Sequence, residues 1–540
     1  MSAAVLCGCT VLDPEYCTSD SDCIDFYGNA FPPYACHPLR HVCIPLAPGV
    51  CVADETCTTS SESHCNLTTD SCEPCTPGDP TDNSCAHLAP QTPVCGNLAG
   101  GGTGCVGCLQ NLDCPASTPI CDGQVCRVCK QHSDCEGPLN CDSGTPCTDS
   151  LVCISATDPT PNLAGRCAQN GPSSLGGRVL YVYDAPSGCD ATNTVDFVTG
   201  IDPGHPICAL PGTATTAPAN GLTYVRVLDA GAQYRAPFSP GSALMSGQLV
   251  YIGAPSLAFK AMNRAQVQFP SSPGFLVTNS GNLTVDGFDL QPGNYGAPTV
   301  QCVGTAGFTS LPVFNLRNSV LEGAASTDPG GVPAVDLTNC QAQIVGNFIG
   351  ATSPQQSTTF SNGAGLSITS TSSSASFLIQ NNVIAGNWDE AVNLQGIVGI
   401  PPSFTFQFNT VVNNGLKGSG EYGGILCPTV LSGSLQIGYS IIVGNSSPGG
   451  TQFSNTSTCT FTNVVVGSDS ASASGLIKGM VPTFDSSSYA LTAQDCFCAI
   501  QATPSAGQTF PATDIAGTPR PQGSSWDVGA YELPASAQCM

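Results

Sequence analysis

The stretch NNVIAGN, residues 381–387, decides the fold. Two corner-forming residues precede three apolar ones, and a Gly-Asn pair closes the run. Related runs recur as NSVLEG from Asn318, GNFIGA from Gly346, NTVVNN from Asn409, YSIIVGN from Tyr439 and TNVVVG from Thr462. With Ser319, Asn347, Asn382, Thr410, Ser440 and Asn463 taken as equivalent, the intervals are 28, 35, 28, 30 and 23 residues. Such a repeat fits one circuit of a parallel β-helix, each coil laying short strands beside those of the coil below. Alternate side chains then enter a narrow core, where β-branched residues stack on their counterparts one coil away. Asn and Gly suit left-handed corners, and stacked Asn can hydrogen-bond along the axis. A β-sandwich would require antiparallel partners and hairpin turns about every 8–12 residues, which this spacing does not provide.

The surrounding composition agrees. Gly (60) and Pro (44) are abundant and only 9% of residues are charged, which favours short strands and turns over long helices. The chain has 540 residues, too many for one ordinary core, and a net charge of −25. A polyanion would be repelled, so nucleic acid is excluded as a partner. No apolar run reaches the length of a membrane-spanning helix, leaving a lipid anchor as the expected membrane attachment.

Cysteine sets the compartment. Of 33 cysteines, 24 lie between Cys7 and Cys167, a density that implies cross-links and therefore export. Cys17-x5-Cys23, Cys51-x5-Cys57, Cys108-x5-Cys114 and Cys129-x5-Cys135 share one spacing, and Asp22, Asp113 and Asp134 precede the second Cys in three of them. Cys72/Cys75, Cys105/Cys108 and Cys126/Cys129 form Cys-x2-Cys pairs that close units. Zinc is the competing reading, since five of the six histidines (His37, His41, His64, His87 and His132) lie here. Interleaved cysteines in an oxidising compartment favour disulfides, whose connectivity is open at this stage. No cofactor is expected. Calcium on the Asp-rich loops is the remaining option, without an EF-hand spacing to support it.

Several segments resemble known families. RVLYVYDAPSGCDAT from Arg178, YVRVLDAGAQY from Tyr224, LVYIGAP from Leu249 and LTVDGFDLQPG from Leu283 resemble the opening of right-handed parallel β-helix proteins of the pectate-lyase-like class. The terminal DIAGTPRPQGSSWDVGAYE, residues 514–532, resembles the tail of bacterial surface proteins whose β-helix carries varied membrane anchors. The cysteine array is similar to short Cys-rich repeats at the front of bacterial surface proteins. Leu6-Cys7-Gly8-Cys9 resembles a lipobox, and the missing signal upstream suggests a start assigned too far downstream, with lipid expected on Cys9. The resemblance implies a mainly β fold, a right-handed parallel β-helix behind a disulfide-rich repeat array, on the outer surface of a Gram-negative bacterium. The expected divisions are 1–16 (truncated signal), 17–167 (Cys-rich array), 175–510 (β-helix, roughly a dozen coils) and 511–540 (C-terminal cap).

The resemblance does not choose a reaction, because this fold carries lyases, hydrolases and adhesins. Residues 168–540 contain nine basic residues, none beside an Asp cluster suited to calcium, which argues against a lyase. The adjacent carboxylates Asp389 and Glu390 follow Trp388, which could stack on a sugar ring. Neighbours on a strand face opposite ways, so catalysis would need Glu322, Asp336 or Glu421 from another coil. His205 stands alone in this region, near a Cys189/Cys208 pair, and Asn282 and Asn445 read as turn residues. The reading is a non-enzymatic surface protein that binds glycans or other surfaces. A polysaccharide lyase or glycoside hydrolase on the same scaffold is the alternative. The tail, with Asp514, Arg520, Trp526, Asp527, Tyr531 and Glu532, is expected to close the exposed last coil.

Overall fold

The structure, a computed structural model, describes most of residues 16–129 and 274–533 and isolated strands and short segments between them. Cys9, Cys189, His205, Cys208, Glu322 and Glu421 lie outside the described residues. The chain divides into two compact units, the first holding the disulfide modules up to Cys167 and the second running from Ala168 to the C-terminus apart from short exchanged segments.

The second unit is a right-handed parallel β-helix built from three sheets of ten, ten and seven strands. Each coil contributes one strand to each sheet in turn: Ser376–Gln380 to the first, Val383–Ala385 to the second and Val392–Ile397 to the third. Every pairing within these three sheets is parallel, so side chains of like position stack. Val285, Leu316, Ile344, Ile379, Phe406, Ile437 and Phe461 form one buried column in the first sheet. Each of these apolar side chains contributes about 1.5–3 kcal/mol by leaving water. Disulfides Cys302–Cys340 and Cys427–Cys459 link successive coils.

The repeated motif spans two corners and the second-sheet strand between them. In NNVIAGN, Asn381 (φ 57°) and Gly386 (φ 67°) turn the chain, and Asn382 and Asn387 follow them into the interior. Asn382 accepts from the Asn347 backbone N–H (2.9 Å) and donates to the Ile344 carbonyl (2.7 Å), while its own N–H donates to Asn409 (3.0 Å). Ser319, Asn347, Asn382, Asn409 and Ser440 form one such ladder; Asn387, Asn414, Asn445 and Gln452 form the second. Buried backbone groups at the corners are thereby satisfied without water.

The ladder corrects the alignment expected from sequence. Asn409, not Thr410, is the counterpart of Asn382, because Thr410 pairs with Val383. Asn463 is the left-handed corner residue (φ 53°), equivalent to Asn381, Phe408 and Tyr439, not to Ser440. Asn282 stands at the start of a first-sheet strand and Asn445 in the second ladder, so only the latter is a corner residue.

Among the described residues the first unit holds five two-disulfide modules. In the first four, the first cysteine bonds the third and the second bonds the fourth: Cys17–Cys36 with Cys23–Cys43, and Cys51–Cys65 with Cys57–Cys72, set the pattern. Cys75–Cys95 with Cys85–Cys105, and Cys108–Cys121 with Cys114–Cys126, repeat it. Cys129–Cys153 with Cys135–Cys167 keep the same staggered order across Cys141 and Cys147, which lie outside the described residues. In four of the modules the third and fourth cysteines face each other across an antiparallel hairpin. The third module opens with the wider Cys75-x9-Cys85, which the repeated spacing had concealed. The Cys-x2-Cys pairs do not close a unit on itself; each joins the last cysteine of one module to the first of the next.

The recurrent Asp has a local cause. Asp22 accepts from the N–H groups of Thr18 (2.7 Å) and Ser19 (2.9 Å), and Asp113 accepts from that of Leu109 (2.7 Å). The bonds from Thr18 hold Asp22 below its ordinary carboxylate range. Thr56 takes the same place in the second module, accepting from Val52 (3.3 Å). Asp20 and Asp54, three residues after the first cysteine, accept from the N–H of the third cysteine. These carboxylates close loops.

Candidate functional site

The second sheet has no free outer face over its later coils. Its strands are apolar on both sides, with Ile349, Ile384, Val411 and Ile442 pointing into the coil and Phe348, Val383, Val412, Ile441 and Val443 pointing out. The C-terminal segment 510–533 lies across that outer side. Gly529 donates to the Tyr439 carbonyl (2.9 Å), Ala530 donates to Thr410 Oγ1 (3.0 Å), and Asn381 donates to the Thr513 carbonyl (2.7 Å). Gly529 (φ 89°) sits so close that a Cβ would meet Ile441 at 2.8 Å. Phe510 packs edge-on against Phe408, Tyr439 and Trp526. The tail is thus a strap along the flank of the solenoid, not the expected cover over its last coil. The reason is the outward apolar stripe, which would otherwise face water.

The charged residues of the tail hold the strap together. Arg520 is buried; its guanidinium donates to the carbonyls of Asp527 (3.0 Å) and Gly529 (2.9 Å), lies 3.6 Å from Glu532 and sits over the Phe408 ring at 5.1 Å. Asp514 accepts from Ala516, Thr518 and Glu532, and Glu532 accepts from Gln522 and Asp527, all backbone N–H groups. Burial pulls Arg520 down and pushes Asp527 and Glu532 up, with the mutual attraction between Arg520 and these carboxylates opposing it. The ion pair of Arg520 is with Glu532, and both side chains are buried.

Two further carboxylates, Asp336 and Glu390, lie at the outer face of the third sheet. Gln301, Asp336, Ser367 and Asn393 occupy equivalent outward positions on successive strands. Gln301 donates to Asp336 (3.0 Å), and Asn393 donates to Glu390 Oε1 (2.6 Å). Burial pushes Asp336 up, with the bond from Gln301 opposing. Asp336 and Asn393 stand two coils apart, roughly 9–10 Å along the axis. Asp336 and Glu390, named separately from sequence, are therefore brought to one face.

Trp388, Asp389 and Glu390 form the corner entering the third sheet; Trp388 and Asp389 are half-buried and Glu390 is buried. Asp389 fastens neighbouring coils through its backbone, its N–H donating to Gly363 (3.2 Å) and its carbonyl accepting from Gly415 (2.8 Å). Gln301, Ser367 and Asn393 were missed, although their alternation in VQCV, LSITS and VNLQ marks them as outward.

The fold and the modules define the class: a right-handed parallel β-helix protein with an N-terminal disulfide-rich array. No protein-family model matches the sequence, and no curated protein does. The crystal structure of pectate lyase Pel9A is similar at 15% identity and a TM-score of 0.33, over 66% of this chain and 96% of that one. The assignment of the fold rests on the strand pairing of the chain itself.

Proposed function

We propose that the protein is a non-enzymatic binding protein of the bacterial cell surface that recognises glycans. The outer face of the third sheet carries this reading: Gln301, Asp336, Ser367 and Asn393, with Glu390 bonded to the last, stack donors and acceptors at coil spacing. Such a row suits a chain of hydroxyl-bearing rings, and Trp388 at the adjoining corner offers a surface for their C–H faces. The disulfide-bonded modules support an oxidising location and a stalk-like role. Attachment through lipid on Cys9 completes this picture.

A glycoside hydrolase is the second reading, favoured by the presence of Asp336 and Glu390 on one face and by the raised pKa of Asp336. A panel of neutral and acidic polysaccharides, scored for both retention and new reducing or unsaturated ends, separates the two. Retention without new ends supports binding. New ends that disappear in Asp336→Asn and in Glu390→Gln would establish hydrolysis. No retention and no new ends would overturn both.

A further inference from the structure

The first sheet also presents an outer face, and its chemistry differs from that of the third. Along its middle row Thr284, Asn315, Gln343, Leu378, Thr405, Gln436 and Thr460 occupy equivalent positions on seven successive strands. Beside them runs a second row, Asn282, Val313, Gln341, Ser376 and Ser403. All of these side chains are exposed or half-buried, and neither row holds a charge. The pairings of this sheet contain no register shift among the described residues, whereas those of the second and third sheets each contain one. The middle row is accordingly straight and spans roughly 29 Å, six inter-strand steps.

We infer that this face binds a linear neutral polysaccharide laid parallel to the solenoid axis, at a site separate from the third-sheet face. Amides and hydroxyls offer donors and acceptors together, the requirement for sugar hydroxyls, and Leu378 supplies an apolar contact within the row. The bond from Asn315 to Thr284 (3.1 Å) shows that side chains of adjacent coils lie within one hydrogen bond of each other along the row. A ligand with hydroxyls at comparable intervals meets partners on every coil. The row flanking the middle one on its other side holds one cation, Arg317, which donates to Gln343 (3.0 Å) and stands opposite Asp286 on the adjacent strand, so the charges of this face balance. On a chain of net charge −25 the face offers little to a polyanion, and the complementary polymer is uncharged.

The test is titration of the full chain with linear neutral glucan, xylan and mannan oligosaccharides of increasing length, at low and high salt. Affinity should rise with length and be indifferent to salt, because no ion pair is formed. Gln343→Ala or Thr405→Ala should each weaken binding about fivefold, and the double variant about twentyfold, as expected for lost hydrogen bonds at an exposed face. Both side chains point outward, so circular dichroism and melting should be unchanged. Neutral-glycan binding that survives the double variant but is lost in Asp336→Asn would overturn the inference and leave the third-sheet reading intact. Binding confined to acidic polysaccharides would overturn it too. So would self-association that the double variant abolishes, since the face would then be a contact between copies.

Discussion

Arg520→Ala tests whether the tail is a buried strap. The substitution removes two hydrogen bonds to carbonyls, the neighbour of Glu532 and a cation over the Phe408 ring. Breaking one partner out of a buried pair costs about 3–5 kcal/mol. Glu532 keeps two backbone donors, from Gln522 and Asp527, which places the expected loss at the lower end, about 3 kcal/mol. For a unit of this size that lowers the melting temperature by roughly 4 °C. Hydrogen exchange should show the loss at residues 512–532 and at the corners of Asn381, Phe408 and Tyr439, which the strap covers. Arg520→Lys should not restore stability, because an ammonium cannot fork to two carbonyls while facing Glu532. The double variant with Glu532→Gln should lose less than the sum of the singles. A loss within about 0.5 kcal/mol, the behaviour of a surface residue, would refute the placement.

Three further outcomes follow from the same structure. Burial pushes Tyr489 up to about 12 and Tyr531 further, so their contribution to stability is complete below pH 10 and lost as pH rises through about 12; melting between these values should fall, and less steeply in Tyr489→Phe. Asn382→Ala strips a buried ladder residue of bonds to Asn347, Ile344 and Asn409 and should cost about 4 kcal/mol in denaturant titration, whereas Ser376→Ala on the outer face should cost less than about 0.5 kcal/mol. Thiol titration of the denatured, unreduced protein should leave the ten array disulfides unreactive, and Cys57→Ser with Cys72→Ser should destabilise the second module by about 2–4 kcal/mol.

The sequence by itself determined the coil. Corner residues, apolar runs and their spacing are local, and a parallel β-helix repeats its local chemistry at each turn, so NNVIAGN and its relatives announced it. The cysteine repeat likewise announced disulfide modules, though pairing first with third and second with fourth depends on which hairpin strands face each other in space. Register at the corner was misplaced by one residue because Asn409 and Thr410 are both polar and only the ladder bonds separate them. The strap shows the limit most clearly. VIA, TVV and IIV are apolar at every position, the pattern of a strand buried on both faces, yet the residues that cover them lie more than a hundred positions away for Thr410 and Asn381. Asp336 and Glu390 share a face for the same reason: stacking sets residues of separate coils in one row, here two coils apart, and that juxtaposition exists only in the folded chain.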